Sequence, residues 1–278
     1  MNRPVIGSLL LAIALTPSLR AAAPVSVTPT VSGNELTAHI ELPGGFATDL
    51  SVVFEQVVGL NPAALVITAT VVDPLDPAFL TRLPGPSVGV PAALPVVIRI
   101  DPTPTSALSF SGVYKITLHT HNLTFQPGSP LRLLRAPTGG AFKDMTGFLE
   151  MGSVRAGGSG PGFSEFFIAA DVRPIDAVIA GKLDDLGTAL SGNSSAIAPS
   201  AYADLSTRLT QIRNLVATGG IPGAIDAVTA FSAAVKTQSG AAIPDVWRAN
   251  GGPVNVAGAL RSAADTLRFS LVVKSNTQ

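Results

Sequence analysis

The spacing of hydrophobic residues changes at Arg173-Pro174, and this change constrains the fold more than any other feature of the chain. Before it, apolar and polar residues alternate in short segments; after it, apolar residues recur every three or four positions. Alternation places side chains on opposite faces of a strand, whereas the longer period builds one face of a helix. Strands followed by helices predict a segregated α+β fold. We expect an N-terminal antiparallel β-sandwich of immunoglobulin-like style, followed by a small three-helix bundle.

The first half of the chain supplies the strands. Residues 110–125 alternate most regularly, and residues 65–72 are β-branched on both faces, as in a central strand. Eight prolines between residues 74 and 104 predict loop or edge structure, interrupted by one strand at residues 96–100. The glycine-rich residues 152–162 predict a flexible hairpin loop. The closest approach to a serine-nucleophile motif lies in that loop, but Pro161 stands where the motif needs glycine.

The second half predicts three helices, because apolar stripes at helical spacing lie within residues 174–190, 205–216 and 224–235. Residues 256–264 then predict a short helix, and residues 266–273 predict a final strand that returns to the sheet. A single helix through Leu271 stays open as the alternative, since the apolar residues there also fit helical spacing.

The predicted organisation has four parts. The first 23 residues resemble a signal peptide, with Arg3, an apolar run shorter than the roughly 20 residues of a membrane span, and three alanines before Pro24. They predict export to the periplasm or the cell exterior, with an undetermined cleavage site. The remaining parts are a β-sandwich domain at 24–172, a helical domain at 173–252, and a returning helix and strand at 253–278.

Composition excludes several classes of function. Cleavage after Ala23 would remove Arg3 and Arg20 from 18 basic residues and none of the 18 acidic residues, leaving a net charge of −2. A nucleic-acid-binding protein needs a basic surface, so we expect no nucleic-acid partner. The chain contains no cysteine, which excludes disulfides, thiol catalysis and cysteine-ligated metal. No second segment is long and apolar enough for a transmembrane helix in the mature chain.

The three histidines are the candidate metal ligands. His119 and His121 lie two residues apart on one face of a predicted strand, and His39 lies on another strand that could be adjacent. Imidazoles in this arrangement can share Zn or Cu. The alternative is a solvated strand face, where Lys115 would repel a cation. We therefore expect either a divalent metal at this face or no cofactor.

The single tryptophan, Trp247, and the neighbouring Arg248 form the candidate interaction site. A tryptophan beside an arginine can contact a sugar or a peptide. The competing interpretation is that Trp247 anchors the helices against the β-domain, because a buried indole contributes a large apolar area.

Three segments carry a resemblance to a known type of protein: GSVRAGGSGPGFSEFFIAADVRP, AVTAFSAAVKTQSG and IPDVWRANGGPVNVAGALRSAADTLRFSL. They resemble an uncharacterised family of exported bacterial proteins with a β-domain and a helical C-terminal part. The helices are also similar, more weakly, to FIMAH-type modules. The resemblance covers about residues 150–275 and implies export and a two-part architecture, but it transfers no catalytic residue.

The sequence favours a non-enzymatic binding or structural protein of the bacterial cell envelope with an unidentified envelope or extracellular partner. One alternative is a periplasmic metal-binding protein that uses the strand histidines. The other is a hydrolase of unrecognised type, which a Ser-His-acid arrangement in the structure would favour.

Overall fold

A computed structural model describes residues 23–150, 152–251 and 254–277. The predicted signal peptide, except for Ala23, lies outside the described residues. None of the helices in the described ranges is both long and apolar enough to cross a bilayer.

The described strands and helices follow in chain order. The strands are β1 Val25–Val27, β2 Thr30–Ser32, β3 Glu35–Leu42, β4 Phe46–Val58, β5 Leu65–Val71, β6 Val88–Gly89, β7 Val96–Pro102, β8 Ser109–Thr124, β9 Leu131–Ala136, β10 Lys143–Asp144, β11 Phe148–Glu150, β12 Ser153–Gly160, β13 Glu165–Asp171 and β14 Val246–Arg248. The helices are α1 Pro77–Leu80, α2 Ile175–Gly192, α3 Pro199–Ala217, α4 Ile221–Gln238 and α5 Val256–Ser275.

The strands form two antiparallel sheets that pack into a sandwich. The first sheet has the order β1-β5-β7-β13-β9-β10, with β6 beside β13; the second has the order β11-β12-β8-β4-β3-β2, with β14 beside β8. Alternate residues of both sheets, such as Ile67, Ile98, Val52 and Ile116, point inward into a common apolar core. The predicted α+β class is confirmed, and the two antiparallel sheets are sandwich-like. The immunoglobulin-like style is not confirmed, because each sheet has seven strands within the described residues.

The proline-rich segment covers the outer face of the first sheet. It holds the predicted strand, now β7, and also the short helix α1. Phe79 of α1 packs against Phe142 and Phe167, with ring centroids 5.5 Å and 5.4 Å away, in a second apolar cluster. The prolines thus shape a segment that wraps the sheet.

The prediction of a flexible loop at residues 152–162 is wrong, because most of this segment forms β12 between β11 and β8. Its glycines allow close packing. A Cβ on Gly158 would lie 2.0 Å from the Met145 carbonyl oxygen, and one on Gly160 would lie 2.3 Å from the Tyr114 hydroxyl. The small residues therefore reflect tight contact within the sandwich.

Residues 174–238 form the three predicted helices α2, α3 and α4, but the predicted three-helix bundle is incomplete, since α5 packs with them in one core. The predicted strand at residues 266–273 is also wrong, because this segment belongs to α5. Leu260, Ala264, Leu267 and Leu271 are all fully buried in the bundle, whereas Phe269 is only partly buried. Burial therefore follows the helical period, which was the open alternative.

Helix α5 docks the bundle onto the outer face of the second sheet. The Arg261 guanidinium donates two hydrogen bonds, of 2.7 Å and 2.6 Å, to the Glu55 carboxylate of β4. Asn255 caps the helix by accepting from Gly258 N at 2.7 Å and donates at 2.6 Å to the Gly112 carbonyl of β8. The helices and the sandwich thus form one continuous structure.

Candidate functional site

A cleft lies where the helical bundle meets the β-sandwich, and its volume is about 500 Å³. Strand β10 and the end of β12 form one wall, while α2 and α5 form the other. Much of the lining is apolar and includes Pro137, Met145, Pro161, Ala189, Ala259 and Ala263. A cleft of this size at a junction between two parts of a protein is typical of small-molecule sites.

A buried ion pair closes one side of the cleft. Lys182 Nζ of α2 lies 2.6 Å from Asp144 Oδ2 of β10. Lys182 also donates to Thr266 O at 3.0 Å and to Ser270 Oγ at 2.8 Å, both on α5. The second carboxylate oxygen, Oδ1, accepts from Thr146 N at 2.8 Å and from Thr146 Oγ1 at 2.6 Å. The pair joins a strand to two helices.

The environment of the pair shifts both pKa values downward. Burial lowers the pKa of Lys182 by more than the Asp144 carboxylate raises it. Burial by itself raises the pKa of Asp144, but the Lys182 ammonium and the hydrogen bonds from Thr146 together hold it below the ordinary range. Because each charge is neutralised by the other, the pair offers the cleft no free nucleophile or general base.

Two other polar groups in the cleft, on Ser262 and Arg135, can bind a ligand. Ser262 Oγ of α5 is buried and has no hydrogen-bond partner within the described part of the chain. Arg135 of β9 has a hydroxyl as its partner, since Nε donates to Ser164 Oγ at 2.8 Å. A buried hydroxyl without a partner is costly unless a ligand or water satisfies it. The cleft thus combines apolar walls, a cation and an unsatisfied hydroxyl.

The predicted interaction residues lie beside the same cleft. Trp247 and Arg248 line a second hollow of about 470 Å³, and this hollow shares Arg135 and Pro161 with the cleft. The Trp247 ring stacks on Phe110 at 5.2 Å, and β14 adds to the edge of β8. The tryptophan therefore packs within the sheet and also borders the hollow. Its role in an interaction stays a prediction.

A row of polar side chains crosses the open part of the second sheet. His39, Asp49, His119 and Arg155 are successive cross-strand partners on β3, β4, β8 and β12. His39 Nδ1 lies 2.6 Å from Asp49 Oδ1, and His119 Nδ1 lies 3.3 Å from Asp49 Oδ2. His119 Nε2 lies 2.5 Å from Ser153 Oγ. The histidine strands are not adjacent, as β4 and its carboxylate separate them.

Hydrogen bonds set the charge state at one end of this row. The bond to Asp49, and then the bond to Glu41, raise the pKa of the exposed His39 imidazole above its ordinary value. The same bond from His39 holds the pKa of Asp49 below its ordinary range, although partial burial opposes the shift. Asp49 is therefore ionised at neutral pH.

The structure places the three predicted metal ligands on one face, but they do not converge. The His121 ring lies edge-on to the His119 ring at 5.0 Å, and His39 is on the far side of Asp49. Over the described ranges, no group of three or more His, Cys, Asp or Glu side chains is arranged to hold a metal ion. Zinc or copper binding by His39, His119 and His121 stays a prediction.

Sequence reasoning missed most residues of these sites, including Lys182, Asp144, Asp49 and Ser153. Lys182 carried a detectable signal, because it is a lysine at the helical spacing of buried residues, three after Ile179 and four before Leu186. Asp49, Asp144 and Ser153 carried none, since strand pairing across distant segments decides what they contact.

The fold and its sites define a two-part α+β protein, in which a helical bundle docked on a β-sandwich encloses a ligand-sized cleft. Residues 9–274 match a family described as "Family of unknown function (DUF6689)", and the chain belongs to this family. No curated protein and no solved structure matches the chain. The expected resemblance to an uncharacterised family is confirmed, whereas export, bacterial origin and similarity to FIMAH-type modules stay predictions.

Proposed function

We propose that this protein is an exported binding protein of the bacterial cell envelope, and that it holds a small amphipathic anion in the cleft between bundle and sandwich. The observation that carries the proposal is the cleft of about 500 Å³ with an apolar lining, a buried Ser262 hydroxyl without a partner, and Arg135.

The charges around the cleft support an anionic ligand. Lys182 and Lys143 are paired with Asp144 and Asp185, so their charges are compensated. Arg135 faces a neutral hydroxyl, which leaves its positive charge for a ligand. A guanidinium binds a carboxylate in a bidentate manner, and apolar walls suit an alkyl chain. A medium-chain carboxylic acid fits this combination.

Calorimetric titration of the purified protein with decanoate tests this proposal. We expect saturable binding of decanoate and at least tenfold weaker binding of decanol, which lacks the charge, corresponding to about 1.4 kcal/mol. Arg135→Gln should weaken decanoate binding to the level of decanol.

The shape of the cleft is tested by filling it. Ala263→Leu places a larger side chain in the cleft and should abolish decanoate binding. Ala230→Leu on the exposed face of α4 is the matched control and should bind as the wild type does. Equal binding by both variants would exclude the cleft as the site.

Export has its own support and its own test. Arg3, the apolar residues 5–15 and the alanines before Pro24 fit a cleaved signal peptide, which would deliver the protein to the periplasm or beyond. N-terminal sequencing of protein from cell fractions should find a chain that begins near residue 24 in the exported fraction. An intact N-terminus confined to the cytoplasm would contradict export.

A further inference from the structure

The open face of the second sheet holds a serine, a histidine and an aspartate joined through the correct atoms for nucleophilic catalysis. Ser153 Oγ lies 2.5 Å from His119 Nε2, and the other ring nitrogen, Nδ1, lies 3.3 Å from Asp49 Oδ2. A base that contacts the hydroxyl with one nitrogen, and an acid with the other, is the arrangement of serine hydrolases on several unrelated folds.

Local backbone structure aims Ser153 at His119. The register between β12 and β8 slips between Ser153, opposite Thr124, and Val154, opposite Thr120. Between these two pairs β12 advances by one residue and β8 by four, so the irregular backbone lies in β8, opposite Ser153. Gly152, with φ of 106°, adopts the left-handed region just before the serine. A break in the pairing with β8 and a glycine in the left-handed region therefore flank Ser153.

A hollow on the open face is lined by two of these three groups, His119 and Asp49. Ser153 is half-buried, and the His119 side chain is 19% exposed. A hollow of about 610 Å³ adjoins His119 and is lined largely by polar residues, including Thr30, Thr37, Ser51 and Thr117. Arg155 also lines it and is the cross-strand partner of His119. The hydroxyl-rich lining suits a small polar ester, such as the acetate ester of a polyhydroxy compound.

We propose that Ser153, His119 and Asp49 form an acyl-hydrolase site for small polar esters. This site is separate from the cleft and does not depend on its ligand. Ser153 Oγ bonds to the ester carbonyl carbon, the carbonyl π electrons move to oxygen, and the hydroxyl proton passes to His119 Nε2. The bond to the alcohol oxygen then breaks, and that oxygen takes the proton from His119.

Water completes the reaction. Its oxygen bonds to the acyl carbon, its proton passes to His119 Nε2, and the bond to Ser153 Oγ breaks as Oγ recovers the proton. The balance is one ester and one water consumed, with one carboxylic acid and one alcohol released. Asp49 is a positioning residue that orients the imidazole.

Two measurements on the full-length purified protein test the site. A fluorophosphonate probe should label Ser153, as located by peptide mass spectrometry, and labelling should disappear on heat denaturation. Hydrolysis of p-nitrophenyl acetate should fall about 100-fold or more in kcat/KM for Ser153→Ala and for His119→Ala. Ser111→Ala on β8 is the matched control: its hydroxyl is hydrogen-bonded to Gln56 at 2.8 Å and has no histidine partner, so activity should be unchanged.

Asp49→Asn separates positioning from folding. We expect kcat to fall at least tenfold with KM nearly unchanged, together with a shift in the pH at which kcat is half-maximal. No labelling of Ser153 in the folded wild type, or equal rates for wild type and Ser153→Ala, would overturn the proposal. Labelling needs no variant, so the proposal stays testable even if a substitution unfolds the protein.

Discussion

Lys182 Nζ on helix α2 lies 2.6 Å from Asp144 Oδ2 on strand β10, with 6% of the lysine side chain and 2% of the aspartate side chain exposed. The pair binds the helical bundle to the β-sandwich beside the cleft. Two buried charges of opposite sign are tolerated together, but either one alone is strongly destabilising. The Lys182–Asp144 ion pair therefore fixes how the helical bundle packs against the β-sandwich.

Replacing Lys182 with methionine should lower the free energy of unfolding by about 3–5 kcal/mol, because it leaves the Asp144 carboxylate buried without a cation. Urea unfolding measures this change. Lys143→Met is the matched control, since Lys143 pairs with Asp185 across the same junction but is 67% exposed. Its loss should cost about 0–1 kcal/mol. Similar losses in both variants would contradict the role of the buried pair.

The Glu55–Arg261 contact should make stability depend on acid pH. The hydrogen bonds from Arg261 hold the pKa of Glu55 below its ordinary value, although partial burial opposes this. Its stabilisation is therefore complete above the ordinary glutamate value of about 4.3 and is lost as the pH falls through the lower folded value. The melting-temperature difference between wild type and Glu55→Gln should thus be largest at neutral pH and shrink in acid.

The pKa of Asp265, which lies at the same junction, is shifted in the opposite direction to that of Glu55. Burial raises the pKa of this carboxyl, although Ser159 Oγ donates to it at 2.7 Å. The folded state therefore favours the protonated acid, and stability is lost as the pH rises through the raised folded value. Asp265→Asn should gain stability relative to wild type as the pH rises. If Glu55→Gln and Asp265→Asn showed the same dependence of relative stability on pH, the opposite directions assigned to the two pKa shifts would be contradicted.

The His39 imidazole should titrate above the ordinary histidine value, and NMR of its ring protons can follow the titration. Asp49→Asn should lower the His39 pKa more than Glu41→Gln does, because the bond to Asp49 is the larger cause of the shift. If Glu41→Gln lowered the His39 pKa as much as Asp49→Asn or more, the hydrogen bond between His39 and Asp49 would be contradicted. Adding Zn to the same sample tests the metal prediction, since bound metal would remove the titration.

Gly258 and Gly181 give a matched pair of helical glycines. A Cβ on Gly258 would lie 2.6 Å from the Gly112 carbonyl oxygen, so Gly258→Ala should displace α5 from the sheet and destabilise the protein. Gly181 of α2 has open space at this position, so Gly181→Ala should stabilise by about 0.5–1 kcal/mol through helix propensity. Thermal unfolding of both variants measures the contrast, and stabilisation by Gly258→Ala would exclude close docking of α5.

The C-terminal segment shows where periodicity alone was insufficient. Leu267, Phe269, Leu271 and Val273 alternate as in a strand, yet Leu267 and Leu271 also lie one helical turn apart. The amino-acid sequence of this segment is compatible with both the strand pattern and the helical pattern. The helix forms because α2 and α4 offer an apolar surface to one stripe of this segment, which only the assembled bundle provides.

The candidate sites also combine features that the sequence identified with features that it did not. The sequence identified the histidine face, because His119 and His121 share one face of a strand whatever lies beside it. It could not identify Asp49 or Ser153 as their neighbours, since those contacts depend on strand order and on a register shift between β12 and β8. The cleft was equally hidden, because β10 and α5, which contribute to opposite walls, lie more than a hundred residues apart in the chain.

The sequence by itself determined the α+β class, the change from strands to helices at Arg173-Pro174, the principal strands and the first three helices. Hydrophobic period is a local property, so these features can be read from neighbouring residues. Only the tertiary structure decided that the glycine-rich segment is a strand, that α5 completes the bundle, and that Lys182 meets Asp144. Those outcomes depend on which surfaces remain to be buried once the elements pack, and no local pattern records this.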